Sequence, residues 1–278
     1  MKTMSNRKKR LRDRPRFRTG LSVIPSLFTI GNMFCGYYAI AATLQENYDY
    51  AAIAIGVGTV LDTLDGRIAR LTGTASQFGL ELDSLADILT FGVAPAVLAL
   101  NWGIASLAGV PAEFAQDVYQ FGWLATFGFL ICGALRLARF NVLAHKPGGS
   151  SRHFVGLPIP AAAGVIAAIV HFRQRPIELV GSAGLWCLLV ALLAFLMISS
   201  VRYPSFKDLD LKKPLPRTAI VATAMLIGLI FYYSGIVLLL MATTYLASGP
   251  VARLAQIVRR MMSRDEQETP EPHPEDGM

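Results

Sequence analysis

Residues 62–87, DTLDGRIARLTGTASQFGLELDSLAD, decide how this chain is read. The segment joins two apolar stretches, yet it carries Asp62, Asp65, Asp83 and Asp87. An ionised side chain inside an apolar helix costs at least ~2.5 kcal/mol, so an intramembrane acid is a functional candidate by default. Asp62 and Asp65 are spaced i, i+3, and Asp83 and Asp87 i, i+4, which puts each pair on one helix face. If the two helices are antiparallel neighbours joined through residues 71–78, the four carboxylates converge. So many negative charges repel one another, and either protons or a cation must neutralise them. An all-oxygen carboxylate set suits Mg²⁺, Mn²⁺ or Ca²⁺ rather than zinc.

The small and basic residues of the segment extend this reading. Gly66 follows Asp65, and Ala69 and Gly79 line the same approach, so a ligand could come close to helix backbone. Arg67 and Arg70 supply positive charge for phosphate. The pattern fits a diphosphate bridged by metal, with a flat group resting on glycine. Helix packing is the other use of such glycines in membranes.

Outward from the segment, the composition is that of a membrane protein. Of 278 residues 53% are hydrophobic and only 16% charged, with a mean hydropathy of +0.46. A soluble domain would carry about 25% charged residues. A bilayer core of ~30 Å needs roughly 20 apolar residues as a helix. Eight spans are predicted, at about 22–43, 50–71, 80–100, 119–141, 156–172, 181–200, 216–232 and 234–249, the last two dividing one apolar run near Ser234 and Gly235. In lipid an isolated segment satisfies its backbone only as a helix, so an all-α bundle is expected.

The net charge of +7 does not point to nucleic acid, because the basic residues flank the spans. Residues 2–18 hold nine Lys or Arg and one acid, Asp13, without an Ala-x-Ala cleavage pattern. With the N-terminus in the cytoplasm, the outer loops hold Glu46, Asp49, Glu113, Asp117 and Glu178, with Arg173 and Arg175 as their cations. The other 24 of the 26 Lys and Arg then lie inside, a strong positive-inside bias. The expected organisation is a basic cytoplasmic segment at 1–20, a transmembrane catalytic domain at 21–249 and a partly disordered cytoplasmic tail at 250–278. The expected location is the cell (inner) membrane, with both termini cytoplasmic. Cys35, Cys132 and Cys187 are far apart within apolar stretches and read as inert thiols. The four histidines read as surface or interfacial residues. Tyr232, Tyr233 and Trp186 suit lipid-facing or belt positions.

At the aspartates the chain resembles a known family. Asp62-x-x-Asp65-Gly66-x-x-Ala69-Arg70, eight residues, then Gly79-x-x-x-Asp83-x-x-x-Asp87 is the full signature of the CDP-alcohol phosphatidyltransferases, with no departure. The resemblance implies a membrane homodimer built on a six-helix core, here with about two further C-terminal helices. It implies Mg²⁺ or Mn²⁺ held by Asp62, Asp65, Asp83 and Asp87, with CDP bound by Gly66, Ala69, Arg70 and Gly79. It also implies transfer of a substituted phosphate from a CDP-linked donor to an alcohol, with release of CMP and with Asp87 as general base. Further phrases look like the subfamily that joins CDP-diacylglycerol to L-serine: Gly31 to Gly36, Glu81 to Asp87, Phe91 to Ala96, Arg136 to Asn141, Phe154 to Pro160 and Arg202 to Lys207.

An acceptor with a carboxylate needs a cation. Arg136 and Arg139 lie at the cytoplasmic end of span four, and Arg202 and Lys207 follow span six. Each could hold the carboxylate or a phosphate, or only anchor a helix end. Arg136, about a turn inside its span, is the favoured one. Asn32 either reaches the polar cavity or makes an interhelical hydrogen bond. Residues 154–160 are expected to shape a kinked helix entry, with Pro158 and Pro160 as breakers. Two alternatives stand beside this reading. One is a sister enzyme using glycerol 3-phosphate or inositol phosphate. The other is a divalent-cation transporter, which leaves the Gly66, Ala69, Arg70 and Gly79 pattern without a purpose.

Overall fold

The computed structural model describes residues 15–73, 76–105, 112–144, 153–204 and 217–265. It is an all-α membrane bundle. Helix α1 (Pro15–Leu44) turns through residues 45–47 into α2 (Tyr48–Thr72). The third rod is continuous but not regular. It begins as α3 (Gln77–Asp87), loosens into a π-helical turn at Ile88–Val93, tightens into α4 (Ala94–Leu100) and loosens again at Asn101–Ala105. Then follow α5 (Ala112–Ala144), α6 (Ile159–Arg173), α7 (Val180–Ile198), α8 (Arg217–Tyr232) and α9 (Ser234–Asp265).

These rods correspond to the eight expected spans. Among the described residues, five stretches are long and apolar enough to cross a membrane: Pro25–Leu44, Gln77–Ile104, Gln116–Val142, Val180–Ile198 and Ser234–Ala255. Ile159–Arg173 and Val221–Tyr232 are apolar but shorter. The remaining rod, α2, carries Asp49 at its start and Asp62, Asp65, Arg67 and Arg70 toward its end, with an apolar stretch between. The protein is therefore multi-pass. Helix α9 runs on to Asp265, past the expected end of the last span near 249. The helix continues across Pro250, so its basic end at Arg253 extends the same rod instead of starting a separate tail.

The core is built from small residues and a few large ones. Ala39, Ala51, Ala52 and Ile55 are buried where α1 meets α2, and Ala162, Ala163 and Ala167 are buried on α6. Small side chains let helix backbones approach closely, which substitutes for a hydrophobic driving force that lipid does not provide. Helix α6 has 15 residues, about 22 Å at 1.5 Å per residue, and is the most enclosed rod. Trp102 and Trp186 fill the space between the third rod and α7, ring centroids 4.9 Å apart. The Trp186 indole N–H donates to Ala99 O at 3.0 Å, and Gly103 leaves room for its ring. Trp186 is thus a core residue, 4% exposed, and not the lipid-facing belt residue expected from sequence. Tyr232 and Tyr233 are exposed as expected.

Two features were not expected. His153–Val155 and Arg202–Pro204 pair antiparallel as a small ribbon, β1 and β2, at the mouths of α6 and α7. The expected kinked helix entry is instead this ribbon, closed by Gly156 at φ 86 and by Pro158 capping α6. The second feature is a tie at one end of the bundle. His171 Nδ1 meets Asp49 Oδ1 at 2.5 Å and His171 Nε2 meets Ser234 Oγ at 2.8 Å, joining α2, α6 and α9.

The π-helical turn is seated in a notch of glycines. A Cβ on Gly36 would lie 2.5 Å from Thr90 Oγ1, and one on Gly58 would lie 2.7 Å from Thr90 Cγ2 and 2.9 Å from Asn32 Oδ1. The Thr90 hydroxyl donates to Asn32 O at 2.8 Å. Helices α1 and α2 therefore grip the third rod immediately after Asp87. Gly56, on the open side of α2, has nothing within 4 Å of a Cβ. Gly58→Val should lower stability in detergent by about 1–3 kcal/mol through overpacking. Gly56→Ala should keep or raise it, since alanine favours a helix over glycine by up to ~1 kcal/mol. Thermal-unfolding midpoints of the two purified variants check both.

Candidate functional site

The carboxylates meet where α2 ends and α3 begins. Gly73, at φ 62, ends α2 in the left-handed conformation, and its N–H donates to Ala69 O. Ser76 caps α3, accepting from Gly79 N at 3.0 Å. These two caps hold the reversal short, so the aspartate face of α2 is turned toward that of α3.

Three of the four aspartates form one cluster. Asp62, Asp83 and Asp87 each offer an oxygen, and these oxygens all lie within 4.8 Å of one another. The Asp62 and Asp87 carboxyl groups are within hydrogen-bonding reach. Asp83 Oδ1 and Asp87 Oδ1 are buried with no hydrogen-bond partner among the described residues. Orphaned buried carboxylate oxygens facing one another are the donor set that a hard divalent cation requires. The residues present thus fit a metal ion. Asp65 lies outside this 4.8 Å set but close enough to interact electrostatically with Asp62 and Asp83. It is buried, and its Oδ2 accepts at 3.0 Å from Thr29 Oγ1, whose hydroxyl is shared with Pro25 O.

The CDP-binding expectation is placed in part. Gly66, Ala69 and Gly79 are half-buried around the α2–α3 reversal, while the Arg70 side chain lies outside what is described. Of the tentative acceptor residues, Arg136 is the one brought to the carboxylates. It is partly buried on α5 and interacts electrostatically with Asp87 and with Tyr245 of α9. Arg139 is exposed. Arg202 falls in β2, opposite Val155, with its side chain not described, and Lys207 lies outside the described residues. Asn32 is fully buried, and both its amide atoms lack a hydrogen-bond partner among the described residues.

Three contributors escaped the sequence reading. Thr29 holds Asp65 across 36 positions of chain, and Asn141 Nδ2 donates to Ser84 Oγ at 2.8 Å, fixing α5 against α3. Tyr245, on a helix that reads as featureless apolar sequence, interacts electrostatically with Arg136. Asn141 carried a signal, being part of the Arg136 to Asn141 phrase; Thr29 and Tyr245 carried none. Near Tyr245, burial and then Tyr245 itself push the Tyr203 phenol up to about 12, so it stays a neutral donor at physiological pH.

A family model for CDP-alcohol phosphatidyltransferase matches residues 22–197. The chain belongs to the CDP-alcohol phosphatidyltransferase family. The match runs from α1 almost to the end of α7 and contains the whole carboxylate cluster. Among similar proteins, the CDP-diacylglycerol–serine O-phosphatidyltransferase of Bacillus subtilis is 37% identical over 188 residues, 67% of this chain and 93% of the relative. The protein of the same name from Helicobacter pylori is 37% identical over 188 residues, 67% of this chain and 74% of the relative. That from Methanocaldococcus jannaschii is 37% identical over 185 residues, 66% of this chain and 75% of the relative.

In this phosphatidyltransferase the three-aspartate cluster should bind Mn²⁺ with a dependence on each member. Asp83→Asn should weaken Mn²⁺ binding at least tenfold, read directly by titration with electron paramagnetic resonance. Thr29→Val, which leaves Asp65 without its buried donor, should weaken it less while lowering thermal stability by about 1–3 kcal/mol.

Proposed function

We propose that this protein transfers the phosphatidyl group of CDP-diacylglycerol to the hydroxyl of L-serine, giving phosphatidylserine and CMP. The observation that carries the reading is a partly buried arginine, Arg136, that interacts electrostatically with Asp87 inside a site of the CDP-alcohol type. An acceptor bearing a hydroxyl and one carboxylate matches that pair. A phosphorylated acceptor would call for more cations at the same place. The printed names of the similar proteins support serine as well.

Asp62, Asp65, Asp83 and Asp87 would hold Mg²⁺ or Mn²⁺. When bound, the ion neutralises the donor's diphosphate and the charge that builds on departing CMP. Gly66, Ala69 and Gly79 leave backbone open beside the cluster for the nucleotide, with Arg70 at the same helix end. Asp87 takes the proton of the serine hydroxyl. The serine oxygen then forms its bond to the phosphorus next to diacylglycerol, and the bond from that phosphorus to the oxygen retained by CMP breaks. Direct attack forms no phosphatidyl-enzyme and gives sequential kinetics.

The site would face the cytoplasm of the cell (inner) membrane, where CDP-linked donors and serine are supplied, and the enzyme would act as a homodimer. The carboxylates gather at one end of α2 and α3 and not along a path through the bundle. That placement suits chemistry at a membrane surface and not ion passage.

The test uses the purified protein in detergent with CDP-diacylglycerol and Mn²⁺. Serine, glycerol 3-phosphate and inositol phosphate are offered in parallel, and CMP and the lipid product are measured. Phosphatidylserine from serine alone is expected. Turnover with a different acceptor overturns the serine assignment while leaving the metal site standing. Asp87→Asn should fold, retain CDP-diacylglycerol binding and lose at least 100-fold in kcat. Wild-type turnover by that variant would remove Asp87 from the role of base.

A further inference from the structure

Asn32 is a polar residue that packing alone does not explain. It lies on α1 with no exposure, and neither its amide oxygen nor its amide nitrogen has a hydrogen-bond partner among the described residues. An unpaired amide inside a bundle destabilises it, and a leucine of the same branched shape would not. Side chains that break the rules of burial in this way concentrate at functional sites.

Contacts on three helices fix where Asn32 lies. Thr29, one turn earlier on the same face of α1, donates to Asp65 Oδ2 at 3.0 Å. A Cβ on Gly31 would lie 3.3 Å from Leu61 Cδ1, and one on Gly58 would lie 2.9 Å from Asn32 Oδ1. Helices α1 and α2 are antiparallel, so this register sets Asn32 between the levels of Gly58 and Asp62. Gly58, Asp62 and Asp65 are spaced i, i+4, i+7 and share one face of α2. On the third rod, Asn32 O accepts at 2.8 Å from the hydroxyl of Thr90, three residues after Asp87. The Asn32 amide is thus one turn deeper in the bundle than the carboxylates.

Side-chain direction brings the two levels together. In a helix the Cα–Cβ bonds tilt toward the N-terminus. On α2 that tilt carries Asp62 back over the turn of Gly58, and on α1 it carries Asn32 toward Thr29. Because the helices run in opposite directions, the two side chains lean toward one another. Only about 6 Å of helical rise separates Gly58 from Asp62, within the combined reach of both. Carboxylates that ligate a metal are themselves oriented by hydrogen bonds from outer partners. Thr29 already serves Asp65, whereas the two N–H donors of the Asn32 amide are uncommitted.

We propose that Asn32 is a positioning residue for the metal site: its amide N–H donates to the Asp62 carboxylate from below and holds it toward Asp83 and Asp87 for a divalent cation. The inference rests on the cluster being a metal site. Helix α1 then supports both aspartates of α2, Asp65 through Thr29 and Asp62 through Asn32.

The test is made on full-length protein in detergent. It reads Mn²⁺ affinity by electron paramagnetic resonance and the thermal-unfolding midpoint of the metal-free protein. Asn32→Leu keeps the branched shape without the amide, and Asn32→Ala removes the amide without adding volume beside Gly58. Thr90→Val removes the hydroxyl bonded to Asn32 O and leaves the Asn32 side chain in place. Both Asn32 variants should bind Mn²⁺ at least about tenfold more weakly, the effect of losing an outer partner of a metal ligand. At least one of them should keep the metal-free midpoint of the wild type, because an unpaired amide contributes nothing to the fold. Thr90→Val should lower the midpoint and leave Mn²⁺ affinity unchanged. An Asn32 variant with wild-type midpoint and wild-type Mn²⁺ affinity overturns the proposal. So does weaker binding that comes only with a lowered midpoint and is matched by Thr90→Val, the mark of a packing role. Failure of both Asn32 variants to fold overturns it too, since the side chain would then be holding the bundle together. A wild type that binds no Mn²⁺ removes the metal reading itself, and the proposal with it.

Discussion

The repulsion among carboxylates at the membrane edge is the constraint on which this structure depends. Asp62, Asp83 and Asp87 present oxygens within 4.8 Å of one another in a setting where charge is poorly solvated. No gain in packing comes from such an arrangement, so the surrounding fold must enforce it. The enforcement is visible on each side. Gly73 and Ser76 make the α2–α3 reversal tight, and the Gly36 and Gly58 notch clamps the third rod one turn after Asp87. A π-helical turn begins at Ile88, next to the last aspartate. Such turns are rare and concentrate at functional sites. Here it re-aims the rod so that its first part can face α2 while its second part enters the core.

The aspartates and the eight rods were legible in the sequence for the same reason. Lipid imposes a simple rule, long apolar helices with no stray charge, and Asp62, Asp65, Asp83 and Asp87 break it at fixed spacing. What was not legible depends on contacts between distant parts of the chain. Nothing about Thr29 marks it as the partner of Asp65, because many membrane threonines bond back to their own helix, as Thr43 does to Ala39 O at 2.8 Å. Trp186 looks like a belt residue until Gly103 and Trp102 are placed beside it. Loosened turns leave no trace in hydropathy, so the third rod read as one plain helix. The ribbon of His153–Val155 and Arg202–Pro204 pairs two strands too short to show an alternating pattern.

The division of labour follows the chain. Residues matched by the family include the carboxylates, Gly66, Gly79 and Arg136. The helices that follow pack as an outer layer, with α9 against α6 and β2.

The tie among Asp49, His171 and Ser234 gives this layer a mechanical character. It pins the start of α9 to α2 and α6 at the end of the bundle remote from the aspartates. Tyr245 lies 11 residues along from Ser234, about 16 Å down a helix. Helix α9 is thus tied down at Ser234, with Tyr245 about three turns further along. A tilt of about 5° around Ser234 would carry the Tyr245 end by about 1.4 Å at 1.5 Å of rise per residue, enough to make or break a hydrogen bond.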